Sequence, residues 1–101
     1  MERQVSLPSG VRVRVIDRGS GPALLLLHGN PDNADEWRFV IEALADRYRC
    51  VAPDLPGYGA RGKSEPVPRG WTYTVANQVA FVDQLLSALK IDDVVLAVHD
   101  I

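Results

Sequence analysis

Val11-Arg12-Val13-Arg14-Val15 alternates apolar and charged side chains, the period-two pattern of a strand with one face in the core and the other in water. Such a strand needs an antiparallel partner, which Gln4 to Leu7 supplies through the turn-forming Pro8-Ser9-Gly10. After a second turn at Gly19-Ser20-Gly21-Pro22, the run Ala23 to Leu27 is apolar at every position, which predicts an interior strand covered on both sides. Val94 to Val98 has the same character, and Cys50-Val51-Ala52 reads as a short strand between them. From Asp35 onward Trp37, Val40, Ile41, Leu44 and Ala45 fall on one face of a helix, with Asn33 or Asp35 available as N-cap. Pro53 through Gly70 is a connection rich in Pro and Gly. A second helix is predicted from about Thr74, with Val75, Val79, Val82, Leu86 and Leu89 as its apolar stripe.

The order β-β-β-α-β-α-β predicts an α/β fold, an antiparallel hairpin leading into a parallel βαβαβ unit whose two helices are right-handed crossovers. There is no internal repeat or interdomain linker, so residues 1 to 101 read as a single domain. A chain ending on an interior strand leaves an unpaired ladder, and the expectation is an N-terminal part of a longer protein. With 47% hydrophobic and 24% charged residues and a net charge of −2, the chain suits a globular domain and gives no reason to expect nucleic acid or a membrane as partner. Cys50 is the single cysteine, which excludes an internal disulfide or a cysteine metal cluster and fits a reducing compartment. The opening Met-Glu-Arg-Gln-Val has no signal-peptide pattern and Leu24 to Leu27 is too short to span a bilayer, so a cytoplasmic location is expected.

Two short segments carry chemistry. Asp100 follows the last strand, at the carboxyl end where open α/β sheets place their reacting groups, and His28-Gly29-Asn30-Pro31 follows the first interior strand. Together, Val98-His99-Asp100-Ile101 and His28-Gly29-Asn30-Pro31 resemble the α/β-hydrolase superfamily, in the Asp-nucleophile branch that includes haloalkane dehalogenases and epoxide hydrolases. The first of these supplies all of that family's nucleophile elbow but its final Gly. Pro53-Asp54-Leu55-Pro56-Gly57-Tyr58-Gly59 resembles the family's Asp-x-x-Gly-x-Gly turn, with a longer loop before Ser64. Trp37-Arg38 resembles the dehalogenase spacing, although Trp37 fits equally well as a core residue.

The resemblance implies that these residues are the N-terminal half of a hydrolase sheet ending at the elbow. The cap domain, the catalytic acid and the histidine base then lie beyond residue 101. It implies Asp100 as nucleophile, forming a covalent ester on an sp³ carbon that carries a halide or an epoxide oxygen. Backbone N–H groups of Asn30 and Ile101 would form the oxyanion hole, and the Asn30 amide would hold a departing halide. His28, Gly29 and Pro31 would shape the loop, and neither His28 nor His99 would transfer protons. No cofactor and no metal are implied; the expected partners are a small hydrophobic substrate and the missing C-terminal half of the same fold. Asn30 points toward a dehalogenase. Ile101, where dehalogenases usually carry Trp, points toward an epoxide-hydrolase-like or unspecialised hydrolase.

Two rival readings stand beside this one. Gly57 through Ser64 matches both the dinucleotide Gly-rich pattern and the P-loop pattern, which would make the chain a nucleotide-binding protein. Both patterns require a helix that begins at the loop, and Pro66, Pro68 and Gly70 disfavour one. The other rival is a truncated product with no activity of its own.

Overall fold

The computed structural model describes residues 2–29, 33–57 and 66–99. Its strands are β1 (Glu2–Ser6), β2 (Arg12–Arg18), β3 (Ala23–Leu27), β4 (Arg49–Pro53) and β5 (Val94–Val98). A 3₁₀ turn (Ala34–Trp37) runs into helix α1 (Arg38–Leu44), and helix α2 (Val75–Ala88) precedes β5. The five strands form one sheet in the order β1-β2-β4-β3-β5. β1 and β2 form the expected antiparallel hairpin, with Val5 opposite Val13. β2 then pairs antiparallel with β4 rather than with its chain neighbour β3, and β4, β3 and β5 run parallel. The change from antiparallel to parallel therefore falls between β2 and β4.

Each crossover lies on its own face of the sheet, for a geometric reason. β4 is on one side of β3 and β5 on the other, so two right-handed connections leaving in opposite directions must cover opposite faces. On the α2 face, Val11, Val13, Val15, Leu25, Leu27 and Val51 pack with Phe81, Leu85 and Leu89. On the α1 face, Ile16, Leu26, Cys50 and Ala52 pack with Ala34 and Ile41, flanked by Trp37 and Leu44. Burial raises the Cys50 thiol above its usual range, the environment of a structural rather than a reactive cysteine. Gly19 and Gly21, both at positive φ, bring the turn before β3 against the Arg47 and Tyr48 carbonyls, where a Cβ would collide with backbone.

Three expectations from the hydrophobic pattern are corrected. The alternation in β2 does not put a charged face in water, because Arg14 is only 2% exposed. The stripe expected for α2 is buried only in part: Leu89 joins the core and Val82 and Leu86 pack against it, but Val75 and Val79 are exposed, and the residues buried within the helix are Phe81 and Leu85. β5 is not covered on both sides, since it is an edge strand whose Val95, Leu96 and Val98 are exposed. The first helix also divides, because its opening turn closes through i,i+3 bonds from Glu36 to Asn33 and from Arg38 to Asp35. Asn33 is its N-cap, accepting from the Asp35 N–H at 2.9 Å.

Arg14 is buried because it is paired. Its Nε and Nη2 donate to the two carboxylate oxygens of Asp54 at 3.1 and 2.9 Å, and its Nη1 donates to Asp35 at 2.9 Å and Glu2 at 3.0 Å. Asp54, fully buried, also accepts from the Ala34 N–H at 2.9 Å. Burial works against the Arg14 charge, but the hydrogen bonds to Asp54, Asp35 and Glu2 outweigh it and raise its affinity for the proton. Removing one member of a buried pair leaves the other charged and unsolvated. Arg14→Met is therefore expected to lower the unfolding free energy by about 3–5 kcal/mol, and a loss below about 1 kcal/mol in urea titration would contradict the assignment.

Acid sensitivity comes from two paired carboxylates, one of them in this network. The hydrogen bond from Arg49 holds the Asp17 carboxyl below its ordinary 3.8, and that from Arg14 holds Glu2 below its ordinary 4.5. Both groups bind protons more weakly folded than unfolded, so their stabilisation is complete above the ordinary values and is lost as pH falls through the folded ones. The urea midpoint should hold steady from neutrality to about pH 5 and decline as pH falls below the ordinary carboxylate values. Asp17→Asn should flatten that decline, and an unchanged slope in the variant would exclude Asp17 as a contributor.

Candidate functional site

Strand order locates the site before any side chain is considered. The crossover from β3 to β4 leaves one way and that from β4 to β5 the other, so the sheet's switch point lies between the carboxyl ends of β3 and β5. In open α/β sheets, ligands bind in the crevice at such a point. β3 and β5 are in register from Ala23 opposite Val94 to Leu27 opposite Val98, and the His99 N–H extends the ladder to the Leu27 carbonyl at 3.3 Å. His28 and His99 therefore leave the sheet side by side.

His28 is fully buried, and both its ring nitrogens are engaged. Nε2 accepts from the Leu55 N–H at 2.8 Å, so the neutral ring carries its proton on Nδ1, which donates to the Gly29 carbonyl at 2.7 Å. The ring thus ties the end of β3 to the segment after β4. The Gly29 N–H donates to Glu36 Oε1 at 2.7 Å. The other oxygen, Oε2, lies 2.8 Å from His99 Nδ1. One carboxylate from the 3₁₀ turn thereby joins the loops after β3 and β5.

Asn30, Pro31, Asp100 and Ile101 lie outside the described residues, as do Tyr58 through Ser64 of the Gly-rich loop. Gly57 is described at positive φ, where a Cβ would run into the Tyr73 ring. Residues 66–74 form no helix, and α2 begins only at Val75 behind the N-cap Thr74. Trp37 borders the α1-face core. Along the α2 face an apolar groove of about 710 Å³ runs from His28 and Gly29, between α2 and the β3–β5 face, past Tyr73, Val79 and Leu96. Among the described residues no group of three or more His, Cys, Asp or Glu is disposed to hold a metal, and no helix is long and apolar enough to cross a membrane.

Sequence reasoning missed Glu36. The available signal was Asn33-x-x-Glu36, a capping-box spacing that places a carboxylate in the first turn, although in that motif the carboxylate reaches back to the N-cap N–H and here it reaches Gly29. It also missed the Arg14–Asp54 pair, which positions the same turn from beneath.

Comparison with known proteins agrees with this architecture. Residues 22–101 match the family model described as the alpha/beta hydrolase fold. A cis-3-alkyl-4-alkyloxetan-2-one decarboxylase of Xanthomonas campestris is 35% identical over 97% of this chain and 35% of its own length. A haloalkane dehalogenase of Mesorhizobium japonicum is 43% identical over 80% of this chain and 25% of its own. The crystal structure of an epoxide hydrolase from Vigna radiata superposes with a TM-score of 0.87 at 37% identity, covering 99% of this chain and 32% of that one. The 101 residues thus span a quarter to about a third of these relatives. Fold, strand order and sequence agree: the chain belongs to the alpha/beta hydrolase family.

Proposed function

We propose that these residues carry the nucleophile elbow and oxyanion loop of a hydrolase that acts through Asp100 on an epoxide or haloalkane-type carbon. The observation that carries this reading is the joining of the β3 and β5 ends. His99, which precedes Asp100, and Gly29, which precedes Asn30, hydrogen-bond to one carboxylate at the switch point. In the proposed reaction the Asp100 carboxylate attacks an sp³ carbon; a C–O bond forms as the carbon–halogen or epoxide C–O bond breaks, and the electron pair leaves with halide or oxygen. Water then adds to the ester carbonyl of Asp100. The N–H groups of Asn30 and Ile101 receive the resulting oxyanion, whose collapse releases the alcohol and restores the carboxylate. Both nitrogens of His28 are committed to backbone partners, which leaves it no free site for the proton of the attacking water, and the reading assigns that proton to a base outside these 101 residues.

The exposed apolar positions Val75, Val79, Leu96 and Val98 would pack against the remainder of the same fold in the intact enzyme, and the reading includes a cytoplasmic location and a small hydrophobic substrate. With the base elsewhere, the 101 residues alone should show no turnover. Nucleotide binding is disfavoured because a phosphate cradle needs a helix that starts at the loop, and α2 starts at Val75. Calorimetry with ATP should show no saturable binding; micromolar binding lost in Lys63→Ala would restore the P-loop reading.

The decisive experiment is a single turnover of the intact enzyme in ¹⁸O-labelled water, with an epoxide, a haloalkane and an oxetan-2-one offered as substrates. The ester route puts label into the Asp100 carboxylate and unlabelled oxygen into the product, whereas direct attack by water gives the reverse. Asp100→Asn should reduce turnover by about 10³-fold or more. Asn30→Ala should impair haloalkane turnover more than epoxide turnover if the amide holds halide. Equal losses would limit Asn30 to its backbone N–H.

A further inference from the structure

We infer that Glu36 is a positioning residue, a carboxylate bracket that sets the oxyanion loop against the nucleophile strand. This rests on the reading of Asn30 and Asp100 given above and adds to it the group that joins the residues preceding them. An ionised carboxylate only accepts hydrogen bonds, so Gly29 N–H and His99 Nδ1–H must both donate to it, at 2.7 and 2.8 Å. The side chain is 13% exposed, which screens it little, while the His99 ring is largely exposed. The bracket therefore holds His99 in a Nδ1-protonated form and turns the ring to a fixed edge.

The plain alternative is a helix-capping Glu that happens to touch a loop. Three observations argue against it. Asn33 already caps this turn, through the Asp35 N–H. Glu36 reaches seven residues back to Gly29 rather than three to the N-cap. Its second oxygen spans 63 residues of sequence to His99, a contact that contributes nothing to the helix. The two residues it grips each precede one of the proposed reacting positions, so a small displacement of the bracket moves the oxyanion donor and the nucleophile relative to one another. Arg14 and Asp54 supply the footing, because they hold Asp35 and the Ala34 N–H at the start of the same turn.

The test uses two substitutions with different chemistry. Glu36→Gln keeps an acceptor for Gly29 but presents an amide donor to His99, which must then move its proton to Nε2. Glu36→Ala removes both contacts. In the intact enzyme, nitrogen-15 spectra at mildly alkaline pH should show His99 protonated on Nδ1 in the natural protein and on Nε2 in Glu36→Gln. Exchange of the Gly29 amide should be nearly unchanged in Glu36→Gln and about 10- to 100-fold faster in Glu36→Ala. Turnover should follow the Gly29 bond, with kcat reduced in Glu36→Ala, KM preserved, and substantial recovery in Glu36→Gln. An unchanged His99 tautomer in Glu36→Gln would overturn the bracket, and this holds even if Glu36→Ala fails to fold. If the tautomer shifts but Asp100→Asn retains turnover, the bracket stands and the nucleophile assignment fails.

Discussion

The buried guanidinium of Arg14 organises the part of the molecule that matters most. Arg14 sits in a strand whose pattern reads as half solvated, yet its guanidinium is shared among Asp54 at the end of β4, Asp35 in the 3₁₀ turn and Glu2 in β1. An arginine suits this place because its planar fork presents donors along two edges, so that one group can satisfy Asp54 bidentately and still reach two further carboxylates. The desolvation of Arg14 and Asp54 is offset only while all the partners are in place. The network is thus also a geometric specification. It fixes where the chain leaves β4 and where the turn after the β3 loop begins, and Glu36 projects from that turn.

What was legible in the sequence follows from the kind of interaction involved. Uninterrupted apolar runs identified β3, β4 and β5 as members of a parallel sheet, although of the three β5 is not covered by helices on both sides. Helix starts and turns were legible too, with Asn33 one of two candidate caps, because Asn33, Thr74 and Gly19 act within a few residues of their own position. Pairing partners were not. The neighbour of β2 proved to be β4, a contact between segments more than thirty residues apart that no local pattern encodes. Arg14 was misread for the same reason: alternation reports which side a residue faces, not whether a carboxylate 40 residues away waits there.

α2 shows the limit from another direction. Its apolar residues are numerous enough to draw more than one stripe, and periodicity alone cannot choose between Val75-Val79-Val82 and Phe81-Leu85. The sheet chooses, by burying the bulkier pair against Val13, Leu25 and Val51. For the candidate site, His28 and Gly29 were marked by their place at the end of an apolar strand, whereas Glu36 looked like any acidic residue in a first helical turn. Its significance depends on the register of β3 with β5, which brings Gly29 and His99 within reach of one side chain.

The opposed directions of the two crossovers have a wider consequence. The cleft between the ends of β3 and β5 is created by the path of the chain and by the handedness of its connections, neither of which a point substitution alters. Changes at the loop tips can therefore exchange one reactive group for another without moving the place where reaction occurs. In a lineage that diversifies by substitution, location is inherited and chemistry is negotiable. Relatives named for decarboxylation, dehalogenation and epoxide hydrolysis fit that division, sharing with this chain a common frame under different names.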